Sequence, residues 1–342
     1  LPFAMLNSNK LSVTLDLKSP KGKSILREMV KRGDVLLENF APGTMDRLGL
    51  GWEQLKTINP KLIYAASSGF GYSGPYRNYP AMDLTVQAMA GVMSVTGFPD
   101  RPPVKAGPAI CDFTAGVHLY AAVVSALYER EKTGVGRRVE VSMQEAIYVS
   151  LASNLGLWYG TKGDVPVRTG NRHGGMAEAP YNVYPTKDGH IAIICVGETH
   201  WHSLTDALGR PELRADPRFK SLKERVENID LVDELIGSFT QQYDKQTLFE
   251  HLLKHRVPCA PVRDLNEVIN DPHMHERHAL EWIDHPELGR IPVQNSPLRF
   301  EGAEPMPIQP SKRLGTDNDA IYRDWLGLSE AEVESLRKEK VI

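Results

Sequence analysis

Residues 11–17, Leu-Ser-Val-Thr-Leu-Asp-Leu, alternate apolar and polar side chains, the period of a half-buried strand. Ser19-Pro20 then opens a helix that Gly33 closes, with Ile25, Leu26, Met29 and Val30 on one face. Val35-Leu36-Leu37 and Leu62-Ile63-Tyr64-Ala65-Ala66 are short continuous apolar runs of the kind a strand buried on both faces shows. A helical stretch near Met45 to Leu55 lies between them. This order predicts a parallel sheet covered by helices. After the turn-rich loop Gly69 to Tyr76, helical patterns cover about 83–96, 113–131 and 143–158, with the strand Arg138-Val139-Glu140-Val141 before the last.

The texture changes near residue 165. Arg168-Thr169-Gly170-Asn171-Arg172-His173-Gly174-Gly175 reads as a loop. Gly189 to Ile194 reads as a strand, and helices are predicted near 200–208, 229–241 and 246–254. The tail is rich in proline from Pro292 to Pro310 and ends in a helix near 328–339. The expected fold is therefore α/β: a Rossmann-like large domain over 1–180, a smaller α+β domain over 181–300, and a segment 301–342 returning to the large domain. Leu1-Pro2-Phe3 has neither an initiator methionine nor a signal-peptide layout, so the chain reads as beginning in mid-protein.

Composition narrows the function classes. Of 342 residues, 41% are hydrophobic and the net charge is −3, so no global basic field points to nucleic acid or an anionic membrane. No uninterrupted apolar run approaches the roughly 20 residues of a membrane span; the longest candidate, Val117 to Leu127, contains His118 and Tyr120. Cys111, Cys195 and Cys259 are widely spaced and odd in number, which suits a reduced, cytoplasmic compartment and no zinc site. Gly22-Lys23-Ser24 is no P-loop, because Leu17 stands where its first glycine belongs. His273, His275 and His278 lack metal-protease spacing, and neither a G-x-S-x-G elbow nor a dinucleotide fingerprint is present.

Several blocks have a different affinity. They are Asn9-Lys10 with Leu15-Asp16-Leu17-Lys18-Ser19-Pro20, then Glu38-Asn39-Phe40-Ala41-Pro42-Gly43, then Ser67-Ser68-Gly69-Phe70-Gly71, and lastly Tyr128-Glu129-Arg130 with Val141-Ser142-Met143-Gln144. Together they resemble the class III CoA-transferases, the family of formyl-CoA transferase, carnitine CoA-transferase and α-methylacyl-CoA racemase. The resemblance spans essentially the whole chain, and the Glu-Asn-Phe-x-Pro-Gly block is its most specific part. It implies a further strand–helix unit ahead of Leu1 that forms part of the CoA site, and a homodimer whose two chains interlock like links.

The resemblance also implies site residues. The catalytic aspartate falls on Asp112, and Gly174-Gly175 on a glycine-rich loop over the active site. Leu15, Lys18, Asn39, Phe40, Arg47 and Leu48 are placed around coenzyme A, with Lys18 and Arg47 suited to its phosphates. Pro80 stands where formyl-CoA transferase has a lysine. Each residue also has a plainer reading. Asp112 precedes an apolar helical run and would make a good N-cap; Gly174-Gly175 would serve as an interdomain linker, and the two cations as surface residues.

The implied activity is transfer of CoA from an acyl-CoA to a free carboxylic acid through an aspartyl anhydride and an aspartyl–CoA thioester, without a metal. A carboxylate suits this chemistry because the thioester it forms keeps the activation of the original bond. Two alternatives stand beside it. The racemase branch adds a histidine where this chain has Met82, and methionine cannot carry a proton. The other is a non-catalytic subunit of a hetero-oligomeric transferase. Met82, Tyr72 and Tyr76 are candidates for the acid pocket.

Overall fold

The computed structural model describes residues 1–342. A short helix α1 (Pro2–Leu6) precedes α2 (Pro20–Arg32), which Ser19 caps by accepting the Gly22 N–H at 2.9 Å. Strand β1 (Val35–Glu38), helices α3 (Thr44–Arg47) and α4 (Trp52–Ile58), and strand β2 (Ile63–Ser68) follow. Then come α5 (Asp83–Met89), α6 (Val92–Val95), the long α7 (Ile110–Thr133) and strand β3 (Arg137–Ser142). Helices α8 (Met143–Tyr148) and α9 (Ala152–Thr161) complete this half. The three strands form one parallel sheet in the order β1-β2-β3, with Ile63 opposite Val35 on one side and Arg137 on the other. Ile63 to Ala66 are buried throughout, as a central parallel strand requires.

Residues 11–17 are not a strand. The segment has the expected alternation but no ladder partner, and its backbone is paired with the tail instead. Ser12 N–H donates to Asp317 Oδ2 at 2.8 Å, Thr14 N–H to Asn318 Oδ1 at 2.9 Å and Asp16 N–H to the Val341 carbonyl at 2.8 Å. Val13 and Leu15 pack on a cluster of Ile25, Tyr322, Leu326, Val333, Leu336 and Val341 that unites α2 with the terminal helix α16, described below.

The predicted helices are also divided more finely. Gly91 at φ 88° ends the expected helix 83–96 between α5 and α6. The expected 143–158 helix carries a 3₁₀ turn at Val149–Leu151, and 45–55 splits into α3 and α4. Helix α7 starts at Ile110, three residues before the expected start at Phe113, and reaches Thr133. Its 24 residues have a stretch of mean hydropathy 1.5, so by length and composition it matches a membrane span, contrary to the sequence expectation. Cys111, Ala115, Leu119 and Ala126 nevertheless bury one face of it in the fold.

Beyond α9, strands β4 (Tyr181–Pro185), β5 (His190–Ile194) and β6 (Cys259–Pro261) make an antiparallel sheet of order β4-β5-β6. Helices α10 (Glu198–Ala207), α11 (Leu222–Glu227), α12 (Ile229–Thr240) and α13 (Lys245–Lys254) accompany it around one apolar core. Two short helices, α14 (Leu265–Ile269) and α15 (Pro272–Glu276), lead to the hairpin β7 (Leu280–His285) and β8 (Gly289–Gln294). The tail ends in α16 (Glu330–Lys338).

Arg225 is fully buried in the antiparallel unit. Its guanidinium forks onto both Glu198 oxygens at 3.0 and 2.9 Å and donates to the Ala179 and Phe219 carbonyls at 3.0 Å each. It also stacks 4.9 Å over Trp201. Losing one partner of such a network strands the others. Arg225→Met is expected to cost about 3 kcal/mol, the low end because Glu198 stays half-exposed and solvated. Urea unfolding checks this, and a loss below about 1 kcal/mol, the size of an ordinary surface change, would contradict it.

Candidate active site

Chain direction collects the site at one edge of the parallel sheet. Helix α7 ends at Gly134 and the chain enters β3 at Arg137, so α7 runs opposite to the strands. Its N-terminus therefore lies where β1, β2 and β3 end, the edge at which open α/β sheets bind ligands. Glu38, Ser68 and Ser142 end the three strands there. The β2 and β3 exits are tied together, because the Gly69 carbonyl accepts the Gln144 N–H at 3.1 Å. Gly69 admits no side chain: a Cβ there would lie 2.1 Å from that of Ala81.

Asp112 is the third residue of α7, exposed at this edge. It does not cap the helix, which corrects that reading. Ala109 holds the N-cap position without a side-chain bond, and the cap comes from α5. Asp83 Oδ1 accepts the N–H of Cys111 at 2.8 Å and that of Asp112 at 3.4 Å. Asp83 Oδ2 accepts from Gln87 Nε2 at 2.5 Å, and the buried Gln87 takes the Ala106 N–H at 2.9 Å, fixing the loop that enters α7. No hydrogen bond within the chain engages the Asp112 carboxylate. Desolvation, and then the Asp83 charge, hold its pKa above the ordinary aspartate range. Desolvation likewise pushes the neighbouring Cys111 thiol up to about 11, leaving it neutral. His118 is exposed, with Nδ1 2.9 Å from the Thr114 carbonyl of its own helix.

The exit of β1 is built around a buried acid that sequence reasoning passed over. Glu38 accepts the Phe40 N–H at 2.7 Å, the Tyr72 hydroxyl at 2.6 Å and the Tyr64 hydroxyl at 3.2 Å. Desolvation and this acceptor raise both phenols above their usual pKa. Arg138 stacks 4.3 Å over the Tyr72 ring. Tyr72 thus turns its hydroxyl to Glu38, while Tyr76 and Tyr79 pair at 5.1 Å between ring centroids on an exposed lip. Asn39 and Phe40, next to this anchor, are exposed.

Lys18 and Arg47 are exposed and pair with no carboxylate; Arg47 donates only to Thr44 Oγ1 at 2.9 Å. Leu15 and Leu48 are half-buried against the tail cluster and the α2–α4 core respectively. Gly174 and Gly175 lie against α9, where Asn154 donates to the Gly174 carbonyl at 3.4 Å and a Gly175 Cβ would meet the Ser153 carbonyl at 3.2 Å. No hydrogen bond joins either glycine to Asp112. Their loop is strapped at two points. Gly170 N–H donates to the Gly97 carbonyl at 3.0 Å, and Arg172 Nε donates to Asp233 at 2.8 Å on α12. No group of three metal-ligating side chains occurs. A cavity of about 1240 Å³ lies elsewhere, between residues 1–11 and 285–316, and holds none of these residues.

Because the Asp112 pKa is raised on folding, ionisation at neutral pH favours the unfolded chain at this residue. Asp112→Asn removes that penalty. The variant should melt above the wild type at pH 7, and the difference should vanish below about pH 4, where the carboxyl is protonated in both states. A lower melting temperature at pH 7 would contradict the free-carboxylate geometry.

The family model described as CoA-transferase family III matches residues 1–318. A formyl-CoA:oxalate CoA-transferase of Streptomyces coelicolor is 36% identical over 100% of this chain and 86% of the relative. A succinyl-CoA–D-citramalate CoA-transferase of Chloroflexus aurantiacus is 35% identical over 99% and 84%. An acetyl-CoA:oxalate CoA-transferase of Acetobacter aceti is 37% identical over 97% and 83%. Among solved structures, a CAIB/BAIF family protein from Brucella suis superposes with a TM-score of 0.80 at 34% identity, covering 95% of this chain and 83% of that one.

Proposed function

The chain belongs to the family III CoA-transferases and is an enzyme of coenzyme A transfer, and we propose that it works through Asp112 as a covalent nucleophile. The observation that carries this is the exposed Asp112 carboxylate, free of hydrogen bonds because Asp83 caps α7 in its place. An Asp112 oxygen attacks the thioester carbon, the C–S bond breaks, and CoA leaves as a thiolate. The thiolate then attacks the aspartyl carbonyl of the mixed anhydride and expels the donor acid as a carboxylate. An acceptor carboxylate attacks the resulting Asp112–CoA thioester, and the two steps run in reverse.

The remaining assignments follow from the same edge. The unpaired Lys18 and Arg47 take the CoA phosphates, and Leu15, Asn39, Phe40 and Leu48 its nucleotide and pantetheine. The Glu38 anchor, through the Phe40 N–H, keeps the 39–43 loop in register for that role. Gly174 and Gly175 cover the acid, an assignment that rests on the resemblance. Small carboxylic acids such as those named for the relatives are the first substrates to assay. Met82, largely exposed beside Asp83, has no proton to give, which disfavours α-proton exchange. Nothing at the Asp112 site favours a non-catalytic subunit.

Asp112→Asn should lower turnover by several orders of magnitude while the protein stays folded. Near-normal CoA transfer by the variant would overturn the assignment.

We also propose domains at 1–180 and 181–300, with 301–342 returning to the first, and an interlocked homodimer. Phe113, Val117, Tyr120, Val124 and Tyr128 form a stripe along α7, each 45–68% exposed, which a second copy would cover. Sedimentation at nanomolar concentration should show a dimer; an active monomer would contradict this.

A further inference from the structure

We propose that Asp83 is a positioning residue for Asp112, capping α7 across the site and using its negative charge to favour the uncharged, acylated forms of that side chain. The inference rests on the reading of Asp112 as the nucleophile. Asp83 is placed firmly. Its Oδ1 holds two backbone N–H groups of α7, and its Oδ2 holds Gln87, which is itself buried and bonded to the incoming loop. It cannot swing away from Asp112 without breaking these bonds. Two carboxylates are therefore held at one helix start, although a single cap would suffice.

The charge balance of the reaction gives that arrangement a consequence. When Asp112 attacks the thioester, the negative charge leaves with the CoA sulfur, and the new anhydride is neutral. The Asp112–CoA thioester is neutral as well. Repulsion from Asp83 acts on the free carboxylate and on neither covalent form, so it shifts formation of the anhydride toward product and leaves the exchange of anhydride for thioester unaffected. It also makes the carboxylate more basic, hence a better nucleophile.

The other titratable groups at this end of α7 do not supply the effect. The Cys111 thiol is neutral. The Lys105 ammonium in the incoming loop is held by the Ala106 and Gly107 carbonyls, and His118 is bonded to Thr114 further along the helix. Glu145, on the neighbouring α8, is exposed, and Asp83 is the charge that acts on Asp112.

The test uses two neutral variants, Asp83→Asn and Asp83→Ser, which both keep an oxygen acceptor for the cap. Asp83→Glu serves as the charged control, so failure of one neutral variant to fold leaves the other. Two quantities are read against pH: kcat/KM, and labelling of the Asp112 carboxyl by a water-soluble carbodiimide with an amine, located by peptide mapping. Carbodiimide reacts with the protonated acid, so labelling reports Asp112 without any turnover. In both neutral variants the acid limb of kcat/KM and the half-labelling pH should move lower than in the wild type. Plateau kcat should fall severalfold, and Asp83→Glu should restore the wild-type limb. Labelling and rate profiles that coincide with the wild type would overturn the proposal, whatever the change in stability. Normal transfer by Asp112→Asn, with labelling still shifted by Asp83→Asn, would instead remove the nucleophile reading and with it the role given to Asp83.

Discussion

The bond from the Cys111 N–H to Asp83 Oδ1, at 2.8 Å, decides what Asp112 can be. A helix start leaves several backbone donors unpaired, and the usual remedy is a local Asp, Ser or Thr. Had Asp112 served, its oxygens would be committed and stabilised as an anion. Because α5 supplies the acceptor instead, Asp112 sits in the first turn with its carboxylate unspent and less acidic than usual. The site's chemistry thus depends on a contact between two helices that the sheet topology brings to one edge.

That edge is held by further long-range ties. Glu38 joins the exit of β1 to the loop beyond β2 through Phe40 and Tyr72, and Gly69 joins that loop to the start of α8. Behind it, Asp317, Asn318 and Val341 pair the backbone of residues 12–16, so that the segment carrying Leu15 and Lys18 is shaped by the tail. The two uncommitted cations, Lys18 and Arg47, stand on this braced framework. On the proposed assignment, binding energy from the distant CoA phosphates would orient the thioester at Asp112.

The parallel sheet was legible in the apolar runs at 35–37 and 62–66, although only the central β2 is buried on both faces; Val35 and Leu37 of the edge strand β1 are exposed. Residues 11–17 misled for a physical reason: alternation reports two unlike faces, and side chains of the tail can pair such a segment as well as a ladder can. The hairpin 280–294 and strands β4 and β6 were passed over, since they are short and their burial is uneven. The charged stretch around Arg225 carries no sequence signal of burial, and only the fold shows that residue buried. Asp112 itself was reached by resemblance, whereas its freedom was not legible. The partner that frees it stands 29 residues away, at the start of another helix, where an aspartate passes for an ordinary first-turn acid.

In the proposed mechanism Asp112 becomes covalently bound to coenzyme A during transfer. Purified enzyme mixed with an acyl-CoA that it uses, then reduced with borohydride and digested, tests this directly by mass spectrometry. The expected result is conversion of the Asp112 carboxyl to an alcohol, dependent on acyl-CoA and missing in Asp112→Asn. Reduction on Asp83 or Glu145 instead, or none while transfer proceeds, would contradict it.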